Sequence, residues 1–182
     1  MAAIGKLGYY RLAFFSKPRE DRALYRLVKK TSARGIVEIG MGTLGRAVNL
    51  VRVAQRYSPG EKIAYTGLDA FDERSSGQPQ IRLIDAHRAL KATGASVRLM
   101  PGGPAGVPAV ANALMGTDLL VIGPDATDAE LAPVWFYVPR MRHEGTVVLR
   151  ASRDPEQPAV VHWRKIRAEE LESLAGTTRR AA

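Results

Sequence analysis

The sequence predicts an α/β domain with a mostly parallel sheet and helices on both faces. Two observations carry that prediction. Five short apolar runs alternate with helical patterns, and parallel neighbours need a helical crossover between them. The first run, Ile36-Val37-Glu38-Ile39, stops in the closely spaced glycines Gly40, Gly42 and Gly45 and leads straight into a helical pattern. Glycine lets backbone approach a ligand without a Cβ in the way, and a helix start offers free N–H groups.

The elements follow in order. Ile4, Leu7, Phe14 and Phe15 suggest an apolar stripe on a short basic helix that breaks near Ser16-Lys17-Pro18. A second helix is expected from about Glu20 to Ser32, with Leu24, Leu27, Val28 and Thr31 at helical spacing. Strand one is Gly35 to Ile39. In the helix after it, Leu44, Ala47, Val48, Val51 and Ala54 mark the inner face, and Arg46, Asn49, Arg52 and Arg56 face out. Ser58-Pro59-Gly60 ends that helix, and strand two runs from Lys62 to Leu68. The polar stretch Asp72 to Pro79 reads as a loop, Gln80 to Thr93 as a helix, and Ser96 to Met100 as strand three. Val107 to Leu114 is a short helix and Asp118 to Ile122 strand four. Thr127 and Glu130 form a capping-box signature for a helix reaching about His143 and kinked at Pro139. Thr146 to Arg150 is strand five, Ala159 to Trp163 an antiparallel edge strand, and Ala168 to Leu174 a polar helix before a frayed tail. The expected organisation is a basic helical segment over 1–34, the α/β domain over 35–166, and the C-terminal helix and tail over 167–182.

A chain of 182 residues with 46% hydrophobic content can bury a substantial core. It has no cysteine, so disulfides, thiolate metal sites and thiol nucleophiles are excluded. No run is apolar enough to span a membrane, and Met1 to Phe15 lacks a signal peptide's apolar centre, which fits a cytoplasmic protein. The net charge of +9 is uneven: residues 1–34 hold nine Lys/Arg against two Asp/Glu, whereas 35–149 hold eleven of each. Such a segment suits an acidic partner, RNA or an anionic surface, but the plainer reading is that its cations are solvated faces of one or two helices. Self-association into a homo-oligomer is compatible with the sequence.

In an open parallel sheet, ligands bind beyond the carboxyl ends of the strands, where strand order reverses. That places Glu38 to Gly45, Asp69 to Asp72, Pro101 to Gly103, Gly123 to Asp125 and Arg150 to Arg153 around one site. Asp69 can accept hydrogen bonds from the two hydroxyls of a ribose, and it can equally cap a helix. Gly40-Met41-Gly42-Thr43-Leu44-Gly45 also fits the G-x-G-x-x-G pattern of dinucleotide-binding oxidoreductases. Against that reading, Glu38 is unfavourable beside a pyrophosphate, and no substrate domain remains.

From Gly35 to about Arg150 the sequence resembles the class I S-adenosylmethionine (SAM)-dependent methyltransferases, most nearly their small-molecule O-methyltransferases. Val37-Glu38-Ile39-Gly40-Met41-Gly42 is similar to that family's first motif, and Tyr65 to Asp72 to its strand-two segment. Thr117 to Ile122 resembles its fourth strand, and His143 to Leu149 its fifth with the preceding turn. The resemblance implies a Rossmann-like methyltransferase fold with SAM as cofactor. It places Glu38, Gly40, Met41 and Gly42 near the methionyl part, Asp69 on the ribose, Ala70 or Phe71 against the adenine, and Gly102 and Gly103 at the strand-three turn. The chain also departs from the family. Leu44 stands where a third glycine is usual, and Gly102-Gly103 where Gly-Asp is common. Gly123 and Arg150-Ala151-Ser152-Arg153 stand where metal-dependent members carry carboxylates or amides. Asp125 alone offers too few ligands for a divalent cation, so no metal is expected.

Methyl transfer to a hydroxyl needs alignment and a base. Asp125 and His162 are the candidates, while His87 and His143 read as packed, surface or helix-terminal residues. The expected function is metal-independent methyl transfer from SAM to a small molecule of unassigned identity. The alternative is a catalytically silent methyltransferase-like binding or interaction module.

Overall fold

The computed structural model describes residues 3–181, with side chains up to residue 177. Six strands form one sheet in the order β3-β2-β1-β4-β5-β6. They are β1 (Gly35–Ile39), β2 (Ala64–Asp69), β3 (Ser96–Pro101), β4 (Thr117–Ile122), β5 (Arg142–Arg153) and β6 (Val161–Ile166). The first five are parallel, and β6 pairs antiparallel with β5 along the edge. Strand order reverses at β1, which takes β2 on one side and β4 on the other.

Two hydrophobic layers sandwich the sheet, and strand alternation assigns residues to them. Ile36, Tyr65, Leu119, Val121, Val147 and Leu149 face a layer formed with α1 (Lys6–Tyr10), α2 (Asp21–Thr31), α3 (Leu44–Tyr57) and α4 (Leu83–Lys91). Val37, Ile39, Leu68, Leu120, Ile122 and Val148 face the other, with α5 (Val107–Val110), α6 (Asp128–Met141) and α7 (Ala168–Ala181). Along one strand, neighbours point to opposite faces, so odd and even positions separate cleanly.

The basic N-terminal segment belongs to this core. α1, continued by a π-helical turn at Arg11–Phe15, and α2 contribute Tyr9, Ala13, Leu24, Tyr25 and Val28 to the same cluster as Ile36 and Leu50. Among the described residues no helix is long and apolar enough to cross a membrane.

Several expectations shift. β5 begins at Arg142, so His143 lies in a strand rather than at a helix end. β6 lies two to three residues later than expected, and α7 continues to Ala181 where a frayed tail was expected. Only Met1, Ala2 and Ala182 lie outside the described residues. The capping box on α6 is present, with Glu130 N–H donating to Thr127 Oγ1 at 3.3 Å and Thr127 N–H to Glu130 Oε2 at 2.8 Å. The largest correction is Arg46. Helical spacing places it on the outer face of α3, yet it is 6% exposed.

Candidate functional site

The glycine turn is built by backbone crossing between strands. Gly40 has φ +73°, a conformation that L side chains rarely adopt. Its N–H donates to the Leu68 carbonyl at 2.8 Å, and Gly123 N–H donates to the Ile39 carbonyl at 2.7 Å. A Cβ on Gly123 would sit 2.4 Å from the Gly40 carbonyl oxygen. Gly40 and Gly123 therefore lie back to back where strand order reverses. The turn then enters α3, whose first N–H groups are capped by Thr43, with Arg46 N–H donating to Thr43 Oγ1 at 3.1 Å.

Asp69, at the end of β2, is 4% exposed and fully engaged. Its Oδ2 accepts from Met41 N–H at 2.7 Å and its Oδ1 from Phe71 N–H at 2.8 Å. Arg74 donates to both oxygens, each at 2.6 Å, in a bidentate pair. The same guanidinium donates to the carbonyls of Met41, Gly42 and Pro79, the last at 2.6 Å. Each carboxylate oxygen thus carries two hydrogen bonds, and the place expected to receive a ribose is held by Arg74. Sequence reasoning missed this residue, because nothing local marks an arginine that folds back from a polar loop.

Glu38 is corrected by strand alternation. It points under α3 with Tyr65, is 0% exposed, and does not line the cleft. Tyr65 Oη donates to Glu38 Oε2 at 2.6 Å, and Arg46 donates to Oε1 at 2.8 Å. Arg46 also approaches Asp21 at 3.8 Å and lies 5.6 Å over the Trp163 ring. Burial opposes charge on Arg46, but Glu38 and Asp21 outweigh it and hold the guanidinium's pKa up. Desolvation pushes the Asp21 carboxyl up to about 6, with Arg46 pulling against it. Burial likewise pushes the Tyr65 and Tyr25 hydroxyls up, with adjacent Glu38 and Asp21 adding to it. The space over Gly42 is taken as well, since a Cβ there would lie 2.4 Å from the Arg46 guanidinium.

A cleft of about 430 Å³ opens beyond the strand ends, within the range of small-molecule sites, roughly 300–1,000 Å³. Gly40, Met41, Asp69, Ala70, Gly102, Gly103 and Asp125 all line it, as the sequence predicts, together with Glu73, Arg74 and Glu130. Gly102 and Gly103 have positive φ and nothing within 4 Å of a Cβ, so they leave that wall open. Phe71 does not line the cleft. Its ring is 1% exposed in the α3-side core, with a left-handed backbone at φ +48°. The Met41 side chain is buried too, packed over Gly67, so only its backbone serves the site.

The acid–base candidates separate. Asp125 lines the cleft but is paired with Arg153 at 2.7 Å, and Arg150 is paired with Asp128 at 2.7 Å. His162 is 62% exposed on the edge strand beside Asp154 and does not reach the cleft. His143 pairs with Asp118, whose other oxygen accepts from Arg34 and Gly35 N–H groups at the opposite, amino end of the strands. His87 is exposed on α4. Among the described residues no group of three or more His, Asp or Glu converges as a metal site would require.

No protein-family model matches the chain, and no curated protein matches it in sequence. Solved structures do. An O-methyltransferase from Bacillus cereus in complex with S-adenosylhomocysteine aligns at TM-score 0.52 and 20% identity, covering 75% of this chain and 57% of that one. A methyltransferase from Geobacter sulfurreducens aligns at 0.50 and 20%, covering 74% and 60%. The O-methyltransferase TomG from Streptomyces achromogenes, in complex with SAM, aligns at 0.53 and 15%, covering 99% and 79%. The chain thus spans about three fifths of the first two. At these identities the likeness establishes architecture: the chain has the α/β fold of the class I SAM-dependent methyltransferases.

Proposed function

We propose that the cleft beyond β1, β2 and β4 binds SAM, and that the protein transfers its methyl group to a small molecule by alignment, without a metal. The observation that carries this reading is the convergence of Gly40, Asp69, Ala70, Gly102 and Gly103 on one cleft where the strand order reverses. The group fits only when Arg74 yields Asp69, because both carboxylate oxygens are filled while it stays. SAM supplies an electrophilic methyl on a sulfonium. Asp69 would accept the ribose hydroxyls in place of the guanidinium, Gly102 and Gly103 would give it room, and Asp125, which lines the cleft, would serve as base once Arg153 releases it.

Titration calorimetry with SAM, S-adenosylhomocysteine and NAD tests the assignment. Binding of the first two but not NAD supports it. Binding of none, in the wild type and in Arg74→Ala alike, overturns it. The second reading, a binding module without transfer, is favoured by one observation: both carboxylates of the expected site, Glu38 and Asp69, are neutralised by arginines. SAM binding without turnover on a panel of hydroxylated acceptors would select it.

A further inference from the structure

The N-terminal helix presents an apolar face to solvent that the fold does not use. Leu7 is 85% exposed, Phe15 75%, Tyr10 52% and Phe14 45%, and these are four of the seven large hydrophobic residues exposed among those described. Leu7, Tyr10 and Phe14 follow helical spacing, and the Tyr10 and Phe14 rings stack at 6.0 Å. Cations surround the face. Lys6, Arg11, Lys17 and Arg19 are exposed and have no ion-pair partner among the described residues, and Arg26 lies 5.9 Å over the Phe14 ring. Beside the helix, a cleft of about 690 Å³ is lined by Arg11, Phe15, Lys17 and Arg52.

We infer that this face docks on an anionic lipid bilayer, with Leu7, Tyr10, Phe14 and Phe15 entering the headgroup boundary and the surrounding cations meeting lipid phosphates. Aromatic and aliphatic side chains ringed by Lys and Arg are what an interfacial helix needs: the apolar area gives binding, and the charge gives preference for anionic lipid. A second copy is the less suitable occupant. Residues 1–34 carry nine cations against two anions, so pairing this face with itself would bring like charge together. RNA would be met by the charge, but it leaves Leu7 without a partner.

The test is co-sedimentation of the full chain with vesicles of phosphatidylcholine alone, or mixed with phosphatidylglycerol. Sedimentation with the mixed vesicles only, weakened by salt, is expected. Leu7→Glu/Phe15→Glu and Arg11→Glu/Lys17→Glu should each lose it while keeping the wild-type circular dichroism and melting temperature. These positions are exposed, so folding should tolerate the changes. Three results would overturn the inference: no sedimentation with mixed vesicles, equal sedimentation with both, or sedimentation that survives Leu7→Glu/Phe15→Glu. A wild-type dimer in light scattering that Leu7→Glu/Phe15→Glu makes monomeric would assign the face to a second copy instead. Retention by RNA without vesicle binding would assign the charge to nucleic acid.

Discussion

A carboxylate that accepts four hydrogen bonds has little left to offer a ligand, and Asp69 is in that state because Arg74 folds onto it. Removing one partner of a buried pair typically costs about 3–5 kcal/mol. Arg74→Ala should therefore lower the melting temperature and, in the same protein, tighten SAM binding by freeing two acceptors. Asp69→Asn should weaken SAM binding and also loosen the turn, since Met41 and Phe71 N–H groups depend on that side chain. Opposite changes in stability and affinity for Arg74→Ala, measured by thermal melting and calorimetry, are the signature to seek. An affinity that falls would mean that Arg74 contacts the ligand. Asp21 gives a pH-dependent prediction. Its folded pKa of about 6 lies above the ordinary value, so the folded chain holds the proton more tightly than the unfolded one. Its contribution to stability is full below about pH 4 and is lost as pH rises through about 6. Over that window the wild type should lose stability relative to Asp21→Asn, on the order of 2–3 kcal/mol. Urea midpoints at both ends of the window measure it, and parallel curves would show that Asp21 does not titrate there.

Elements were legible where local chemistry decides them. β1 lies at Gly35–Ile39 as the apolar run predicts, and α6 starts at the capping box. Thr127→Ala should cost about 1 kcal/mol by urea denaturation, since it removes the cap acceptor of α6. Gly123→Ala should cost more, because its Cβ would meet a backbone carbonyl at 2.4 Å that cannot move without parting β1 from β4. Of the candidate site, the placement of Gly40, Gly102, Gly103 and Asp69 around one cleft was legible, because turn chemistry and strand ends are local signals. The partners were not. Arg46 reaches back eight residues to Glu38, and Arg74 reaches back five to Asp69 and further to Gly42, through contacts that only the folded chain creates. The resemblance places Ala70 or Phe71 against the adenine, whereas a left-handed backbone puts the Phe71 ring in the core. β5 outran its prediction for a similar reason: Arg142 pairs with Thr117 across a register shift that no local pattern announces.

At the scale of the molecule, the N-terminal helices are structural before they are anything else. A chain beginning at residue 35 would lose the burial of Tyr9, Leu24, Tyr25 and Val28. At about 2 kcal/mol per large side chain, that loss rivals the 5–15 kcal/mol that holds a typical domain together. Such a truncation should lose its cooperative unfolding transition in calorimetry, and a sharp transition would show that residues 35–182 fold alone. The strand order also has a consequence for the chain as it is made. β1 finds β2 within about 30 residues, but its other neighbour, β4, ends 83 residues after Ile39, at Ile122. At about 5–20 residues per second, one edge of the future central strand stays open for roughly 4–17 seconds. Open apolar edges recruit other chains, and an inward-pointing charge is one of the devices that deter them. Glu38 lies on that strand, its acidic side chain a deterrent to a wrong partner until Arg46 and Tyr65 close over it. Glu38→Leu should therefore aggregate more on dilution from urea than the wild type at the same concentration, so a residue fully buried in the finished protein guards the unfinished one.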